Sequence, residues 1–366
     1  MEEKKRLNEI VTHFVREKDQ PLTEPLGKGH INDSYRVVAG DQVYVLQRIN
    51  HHIFRNVEQL QNNIFRVTSH IRKKLEEKAV PDIDRRVLTL LPTHDGALFH
   101  RDDNGDYWRM MLFITESKSY DEINPELAYR AGQAFGEFQQ MLADLPGEPL
   151  FETIPNFHNM EARLYTFRES VKADRAGRLE QVASLVTEIE KRADEMCLAE
   201  KMHRGGILPK RTNHCDTKVN NILFDQNDEV LCVVDLDTVM PGYVLSDFGD
   251  FIRTAANTGA EDERNLENVS VDLKIFEGYA RGYLQKASSF LTEVEINHLA
   301  YGAKLLTYMQ TVRFFTDYLD GDTYYKIASP DHNLIRTKAQ FKLLQSLEEH
   351  YDEMQRIIRE IAGRSR

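Results

Sequence analysis

Hydrophobic positions change their period along this chain, and the change divides it into two regions. Ser34–Val38 and Gln42–Ile49 are two runs rich in strand formers, joined by the turn Ala39-Gly40-Asp41, and predict a hairpin. Val57, Leu60, Ile64, Val67, Ile71 and Leu75 then recur at steps of three and four, marking one face of a long helix that stops before Pro81. Arg86–Leu91, Ala97–His100 and Tyr107–Ile114 read as further strands, and residues 5–17 as a short amphipathic helix. Beyond residue 114 the period is helical. Asn124-Pro125 is a helix start, a cap followed by proline at the first helical position, with Leu127, Ala131, Ala134, Phe135, Phe138 and Met141 as its apolar stripe. Helices are expected over 179–203, 271–289, 293–319 and 337–363, with short strands flanking a loop in 207–235. The pattern predicts an α+β chain with a bilobal, protein-kinase-like layout. It divides the chain into a small antiparallel β-rich N-lobe (1–114) and a larger, mainly helical C-lobe (115–366).

Composition narrows the function classes. Of the 366 residues, 41% are apolar and 29% charged, as in a soluble globular protein. A formal net charge of −12 argues against nucleic-acid or anionic-membrane partners, and no apolar run is long enough to span a bilayer. The first residues carry no secretory-type apolar stretch. The cysteines, Cys197, Cys215 and Cys232, form no CxxC, so a reduced, cytoplasmic setting is expected.

The chemistry concentrates in one stretch. His214-Cys215-Asp216-Thr217-Lys218-Val219-Asn220-Asn221 matches H-x-D-x-K-x-x-N at every specified position, and the apolar run Val230–Val234 ends in Asp235. Phosphoryl transfer needs a carboxylate beside the attacking hydroxyl and oxygen ligands that hold Mg²⁺ against the phosphates. Asp216 suits the first role, and Asn221 with Asp235 the second. Lys218 would approach the transferring phosphate. Asp247-Phe248-Gly249 spells the D-F-G of protein kinases, yet it follows a Pro241-Gly242 loop and opens a helix, so Asp247 reads as a structural hydrogen-bonding residue. Asp237 is either a second-ion ligand or a cap.

Upstream, Gly27-x-Gly29-x-x-Asn32 precedes the hairpin. Glycines let backbone amides approach phosphates, and asparagine is the side chain that best tolerates positive φ. A hairpin rather than a helix follows, which excludes a dinucleotide fingerprint, and no G-x-x-x-x-G-K-[ST] occurs. Gly27, Gly29 and Asn32 therefore read as a phosphate lid. The strand after the turn is Tyr44-Val45-Leu46-Gln47-Arg48-Ile49, so Gln47 stands where protein kinases carry their lysine, and Glu58 on the next helix lacks its usual partner.

With these motifs in place, the chain resembles the aminoglycoside phosphotransferase and choline kinase superfamily and, within it, the N-acetylhexosamine 1-kinases. The likeness rests on Gly29–Asn32, Tyr44–Gln47, Asp216–Leu223, Asp235–Gly242, Asp247–Asp250, Arg313–Tyr324 and His332–Thr337. The resemblance implies that ATP phosphorylates the C1 hydroxyl of GlcNAc or GalNAc, with Asp216 as base and Mg²⁺ on Asn221 and Asp235. It implies further that His30, Arg313 and Tyr324 bind the sugar, with Tyr120 just past the hinge as another contact, and that adenine hangs from the backbone at Phe113–Thr115. The expected partners are thus ATP and a small sugar. Two alternatives stay open: a superfamily kinase for choline, homoserine or an aminoglycoside, and a non-catalytic nucleotide-binding protein.

Overall fold

A computed structural model describes residues 2–16, 21–27 and 31–364. The chain begins α1 (Glu2–Val11), β1 (Leu22–Pro25), β2 (Asp33–Ala39), β3 (Gln42–Ile49), α2 (Val57–Glu77), α3 (Ile83–Arg86), β4 (Leu90–Leu91), β5 (His100–Arg101) and β6 (Tyr107–Leu112). It continues α4 (Pro125–Leu142), α5 (Met160–Ala173), α6 (Leu179–Met196), α7 (Leu198–Arg204), β7 (Arg211–Asn213), β8 (Ile222–Phe224), β9 (Val230–Val233) and β10 (Met240–Gly242). It closes with α8 (Val244–Ala255), α9 (Leu273–Ala287), α10 (Glu293–Asn297), α11 (Leu299–Leu319), α12 (His332–Glu349) and α13 (Tyr351–Arg364). The architecture is mixed α+β, with an antiparallel sheet towards the N-terminus and a mostly helical remainder.

Two compact units emerge. The first comprises Met1–Ser119, Asp144–Ile154 and Ile222–Met240; the second comprises Tyr120–Ala143, Pro155–Asn221 and Pro241–Arg366.

The first unit is built on an antiparallel sheet of order β1-β2-β3-β6-β4, with β5 also pairing β6. The expected hairpin is β2–β3, and its turn uses Gly40 at positive φ. Val37, Ala39, Tyr44, Leu46, Trp108 and Met110 share one core with Leu7, Ile10, Val11 and Phe14 from α1 and the turn after it. The α2 stripe is buried from Val57 to Leu75 as its period predicts. Arg86–Leu91 is not one strand: Ile83–Arg86 is a helical turn and only Leu90–Leu91 pairs. One side chain of α2 holds two later segments of this unit at once. Asn63 of α2, fully buried, donates to the carbonyls of Phe151 (2.8 Å) and Val239 (3.0 Å) and accepts from the Phe151 amide (3.0 Å). The β8–β9 hairpin pairs Ile222 with Val233, and Leu231 and Cys232 pack on Ile114.

The second unit is helical. Its tightest crossings are set by glycines. A Cβ at Gly282 of α9 would fall 1.8 Å from the Tyr129 carbonyl of α4, and one at Gly249 of α8 would fall 2.0 Å from the Gly302 carbonyl of α11. Only glycine permits backbones that close. Asn124 caps α4 through the Leu127 amide (2.9 Å), as expected. Three helices expected to be continuous are broken, at Cys197, His298 and His350. At both histidine breaks the ring lies back on the preceding turn: the His298 and His350 ring nitrogens engage the carbonyls of Val294 (2.7 Å) and Ser346 (2.8 Å), four residues back, and at His350 the backbone amide shares the Ser346 carbonyl (3.1 Å). Helix α5, capped by Asn159, was not evident from the sequence pattern.

Candidate functional site

In the second unit the Asp216 loop is shaped by Asp247. This carboxylate, buried on α8, accepts the backbone amides of His214 and Cys215 (both 2.8 Å) and the Gln139 side chain (2.8 Å). The Asp247 carbonyl takes the Thr217 hydroxyl (2.5 Å). Four donors thus fix a loop in which Cys215 is held at φ 63°, a conformation costly for a non-glycine residue. The D-F-G letters acquire a packing explanation. Asp247 clamps the loop, Phe248 is fully buried against Phe276, Tyr279 and Tyr283, and Gly249 allows the α8–α11 crossing.

The clamp presents Asp216 with two partners. Lys218 Nζ lies 2.7 Å from one carboxylate oxygen. The Asn221 amide group donates to the Asp216 carbonyl (2.8 Å) and reaches its carboxylate at 3.5 Å. Burial pulls the Asp216 carboxyl upward, but Lys218, with smaller help from His214 and Arg253, holds it below the ordinary carboxylate value. Burial lowers the Lys218 ammonium, whereas Asp216 and Asp250 raise it, leaving it above its ordinary value. Both groups are therefore charged at neutral pH. With its amide hydrogens committed to Asp216, Asn221 keeps its Oδ1 oxygen available.

The surroundings of Asp216 within this unit are rich in cations. Arg253, buried, pairs with Asp250 and Glu261 (both 2.9 Å). His158 is pushed down to about 3, by burial first and then by Arg313 and Arg163, with Asp216 pulling the other way. It is neutral, and among the described residues its buried Nδ1 has no hydrogen-bond partner. Arg163 is drawn down to about 10 by burial and by Arg313. Arg313 donates to Gln310 (3.0 Å), and its guanidinium stands over Phe157 (5.2 Å) and Tyr325 (5.7 Å). Tyr324 is 62% exposed, its ring edge-on to Tyr325. The Asp317 carboxylate shapes that loop by accepting the amides of Thr323, Tyr324 and Tyr325 (2.8–3.0 Å) and the Asn333 side chain (2.8 Å). Tyr120, the first residue of this unit, is half-buried.

The first unit holds the residues expected from the sequence to face a nucleotide, apart from Lys218. Gly27 has φ 67°, which favours glycine for its backbone rather than for space. Gly29 and His30 lie outside the described residues. Asn32 is buried; its Oδ1 accepts the Asn50 amide (2.9 Å) and its Nδ2 donates to Asp237. Gln47 bridges its two neighbouring strands, donating to Ser34 Oγ (2.8 Å) and accepting from Arg109 Nε (2.9 Å). The Phe113 amide is engaged by the Val43 carbonyl (3.0 Å), and Thr115 is exposed. Asp235 is exposed, in the left-handed region at φ 59°, at the head of the turn Leu236–Thr238.

Asn221 and Asp235 offer hard oxygens of the type Mg²⁺ selects. Among the described residues, no three His, Cys, Asp or Glu side chains gather as a metal site. A cation of this kind takes most of its ligands from phosphate and water, which suits a sparse donor set. Sequence reasoning missed Arg109, Arg163, His158 and the Asp250–Arg253 pair. Arg109 carried a visible signal: it is a lone charge inside the apolar strand Tyr107-Trp108-Arg109-Met110-Met111-Leu112.

Residues 23–284 match the sequence model of APH, described as a phosphotransferase enzyme family. Among solved structures, an aminoglycoside phosphotransferase from Alicyclobacillus acidocaldarius is similar with TM-score 0.60 at 12% identity, over 94% of this chain and 96% of that one. A choline kinase from Cryptosporidium parvum has TM-score 0.56 at 12% identity, over 95% and 96%. Spectinomycin phosphotransferase, solved with ADP and spectinomycin, has TM-score 0.51 at 13% identity, over 99% and 98%. At these identities the likeness is one of fold.

Proposed function

We propose that this chain, which belongs to the APH phosphotransferase enzyme family, transfers the γ-phosphoryl group of ATP to the anomeric hydroxyl of an N-acetylhexosamine such as GlcNAc or GalNAc. The observation that carries the reading is the state of Asp216, a carboxylate kept ionised by Lys218 and presented by a loop clamped from behind. Such a carboxylate accepts a hydrogen bond from the acceptor hydroxyl, aims its oxygen at phosphorus and takes the proton as the new O–P bond forms. Lys218, already balanced by Asp216, faces the transferring group. Asn221 Oδ1 and the Asp235 carboxylate would hold Mg²⁺, which when bound neutralises charge on the β- and γ-phosphates. Asn221 and Asp235 flank the β8–β9 hairpin, which the chain enters from the first and leaves towards the second at the same end. Gly27, Gly29 and Asn32 would cover the phosphates, and the backbone around Phe113–Thr115 would meet adenine.

The nature of the acceptor follows from charge. Aminoglycosides are polycations that need unpaired acids around the acceptor hydroxyl, and choline needs acids or free aromatic faces, whereas the Phe157 and Tyr325 rings are covered by Arg313. Here Asp250 and Glu261 are both taken up by Arg253, while neutral His158 feels Arg313 and Arg163 on one hand and Asp216 on the other. Directional donors of this kind suit the hydroxyls and amide carbonyl of a neutral N-acetylated sugar. His30, Tyr324 and Tyr120 complete the set implied by sequence resemblance. Arg313→Ala is expected to raise the sugar KM by about tenfold or more, the effect of losing a charged hydrogen bond, and to leave the ATP KM nearly unchanged. Equal effects on both constants would remove Arg313 from the sugar site. The reading as a whole is tested by ADP release from Mg·ATP across amino sugars, hexoses, choline, homoserine and aminoglycosides. N-acetylhexosamines should be the best acceptors, and a cationic acceptor outpacing them would overturn the assignment.

A further inference from the structure

Gln47 leaves the first unit without the strand lysine, but the positive charge is not lost from the sheet. Arg109 on β6 lies directly across from Gln47 on β3, and Ser34 on β2 lies across from Gln47 on the other side. Gln47 joins the three positions by hydrogen bonds, which fixes its amide with Oε1 towards Arg109. The guanidinium continues into a buried ion pair with Asp237, both side chains under 5% exposed. Asp237 has both oxygens engaged: Oδ1 by Arg109 and Oδ2 by Asn32 of the glycine loop. The Asp237 carbonyl accepts the Thr153 hydroxyl (3.0 Å), and Val239, two residues on, is held by Asn63 of α2.

The geometry points to Arg109 as a positioning residue that takes over the role of the missing lysine indirectly: through Asp237 it locks the Asn32 end of the glycine loop and the segment bearing Asp235 into one arrangement for Mg·nucleotide. In this arrangement Asp237 is a latch and not a ligand for a second ion. A guanidinium is required because one fork must reach Gln47 and Asp237 together, which an ammonium on a flexible stem does not do. The inference rests on the nucleotide-binding reading above, and it is independent of the acceptor's identity.

Calorimetric titration with Mg·ADP tests it on wild type, Arg109→Gln, Arg109→Lys, Asp237→Asn and the double variant Arg109→Met with Asp237→Leu. The double variant replaces a buried ion pair by apolar groups of similar size, a change that folded proteins tolerate, so it remains informative if the single variants do not fold. The change leaves Asn32 Nδ2 and Gln47 Oε1 without their partners, so its melting temperature is expected to fall but the protein to stay folded, while its Mg·ADP affinity falls by about tenfold or more, the usual cost of removing a group that orients a ligand from behind. Arg109→Gln and Asp237→Asn should weaken binding in the same direction, with only partial recovery in Arg109→Lys. Were Asp237 an ion ligand instead, Arg109→Gln would free its carboxylate and leave binding unchanged or tighter. That result, or undiminished binding by the folded double variant, overturns the inference. Wild-type protein that binds no Mg·ADP sinks the nucleotide-binding reading itself, a different outcome from binding that the variants fail to weaken.

Discussion

Replacing Asp216 by asparagine is expected to lower kcat by about 10²–10⁴-fold, the range for removing a general base, while Mg·ADP still binds. The substitution keeps the size and one acceptor oxygen of the side chain, so Lys218 at 2.7 Å retains a hydrogen-bond partner and the loop clamp is untouched. What it removes is the negative charge that orients the acceptor hydroxyl and receives its proton. Steady-state kinetics beside nucleotide titration separates the two effects. Turnover comparable to wild type would strip Asp216 of its role, and a parallel loss of nucleotide affinity would turn it into a structural residue.

The second large effect concerns Asp247, which supports the loop without facing substrate. Asp247→Ala leaves two buried backbone amides and the Gln139 side chain without their acceptor. At roughly 1–3 kcal/mol for each of three stranded donors, the expected loss of stability is about 3–9 kcal/mol. The Cys215 backbone, held at positive φ by those hydrogen bonds, then relaxes and carries Asp216 away from its place. Denaturant unfolding should show the loss, with turnover falling alongside it. A variant of unchanged stability that loses only Mg²⁺ dependence would instead make Asp247 a metal ligand of the protein-kinase type.

The parts of the fold that were legible in the sequence are those governed by local rules. The β2–β3 hairpin follows from two strand-forming runs and a glycine turn, α2 from an unbroken three–four step, and the start of α4 from Asn124-Pro125. The breaks at His298 and His350 were not legible, because no proline marks either one and the ring contacts with the carbonyls a turn earlier appear only in the folded chain. Helix α5 escaped notice because only Met160, Leu164, Phe167 and Ser170 of its fourteen residues are buried. In the candidate site, the H-x-D-x-K-x-x-N spacing was enough to single out Asp216, Lys218 and Asn221, which the structure brings together. The partnership of Arg109 with Gln47 needed the β3–β6 register, which no single strand encodes. The same holds for Asp237: the sequence left it between ion ligand and cap, and its long-range contacts to Asn32 and Arg109 are visible only in the folded chain. His158 and the Arg163 that acts on it come from a segment whose sequence carries no motif.

The central claim is that phosphate is delivered to the anomeric oxygen of an N-acetylhexosamine, and the position of phosphorus in the product tests it most directly. Protein incubated with GlcNAc, ATP and Mg²⁺ and followed by phosphorus–proton correlation NMR should yield a phosphate coupled to the anomeric proton, with none formed by Asp216→Asn. Coupling to a proton elsewhere on the ring, or no sugar phosphate under conditions where choline or an aminoglycoside is phosphorylated, would contradict the account.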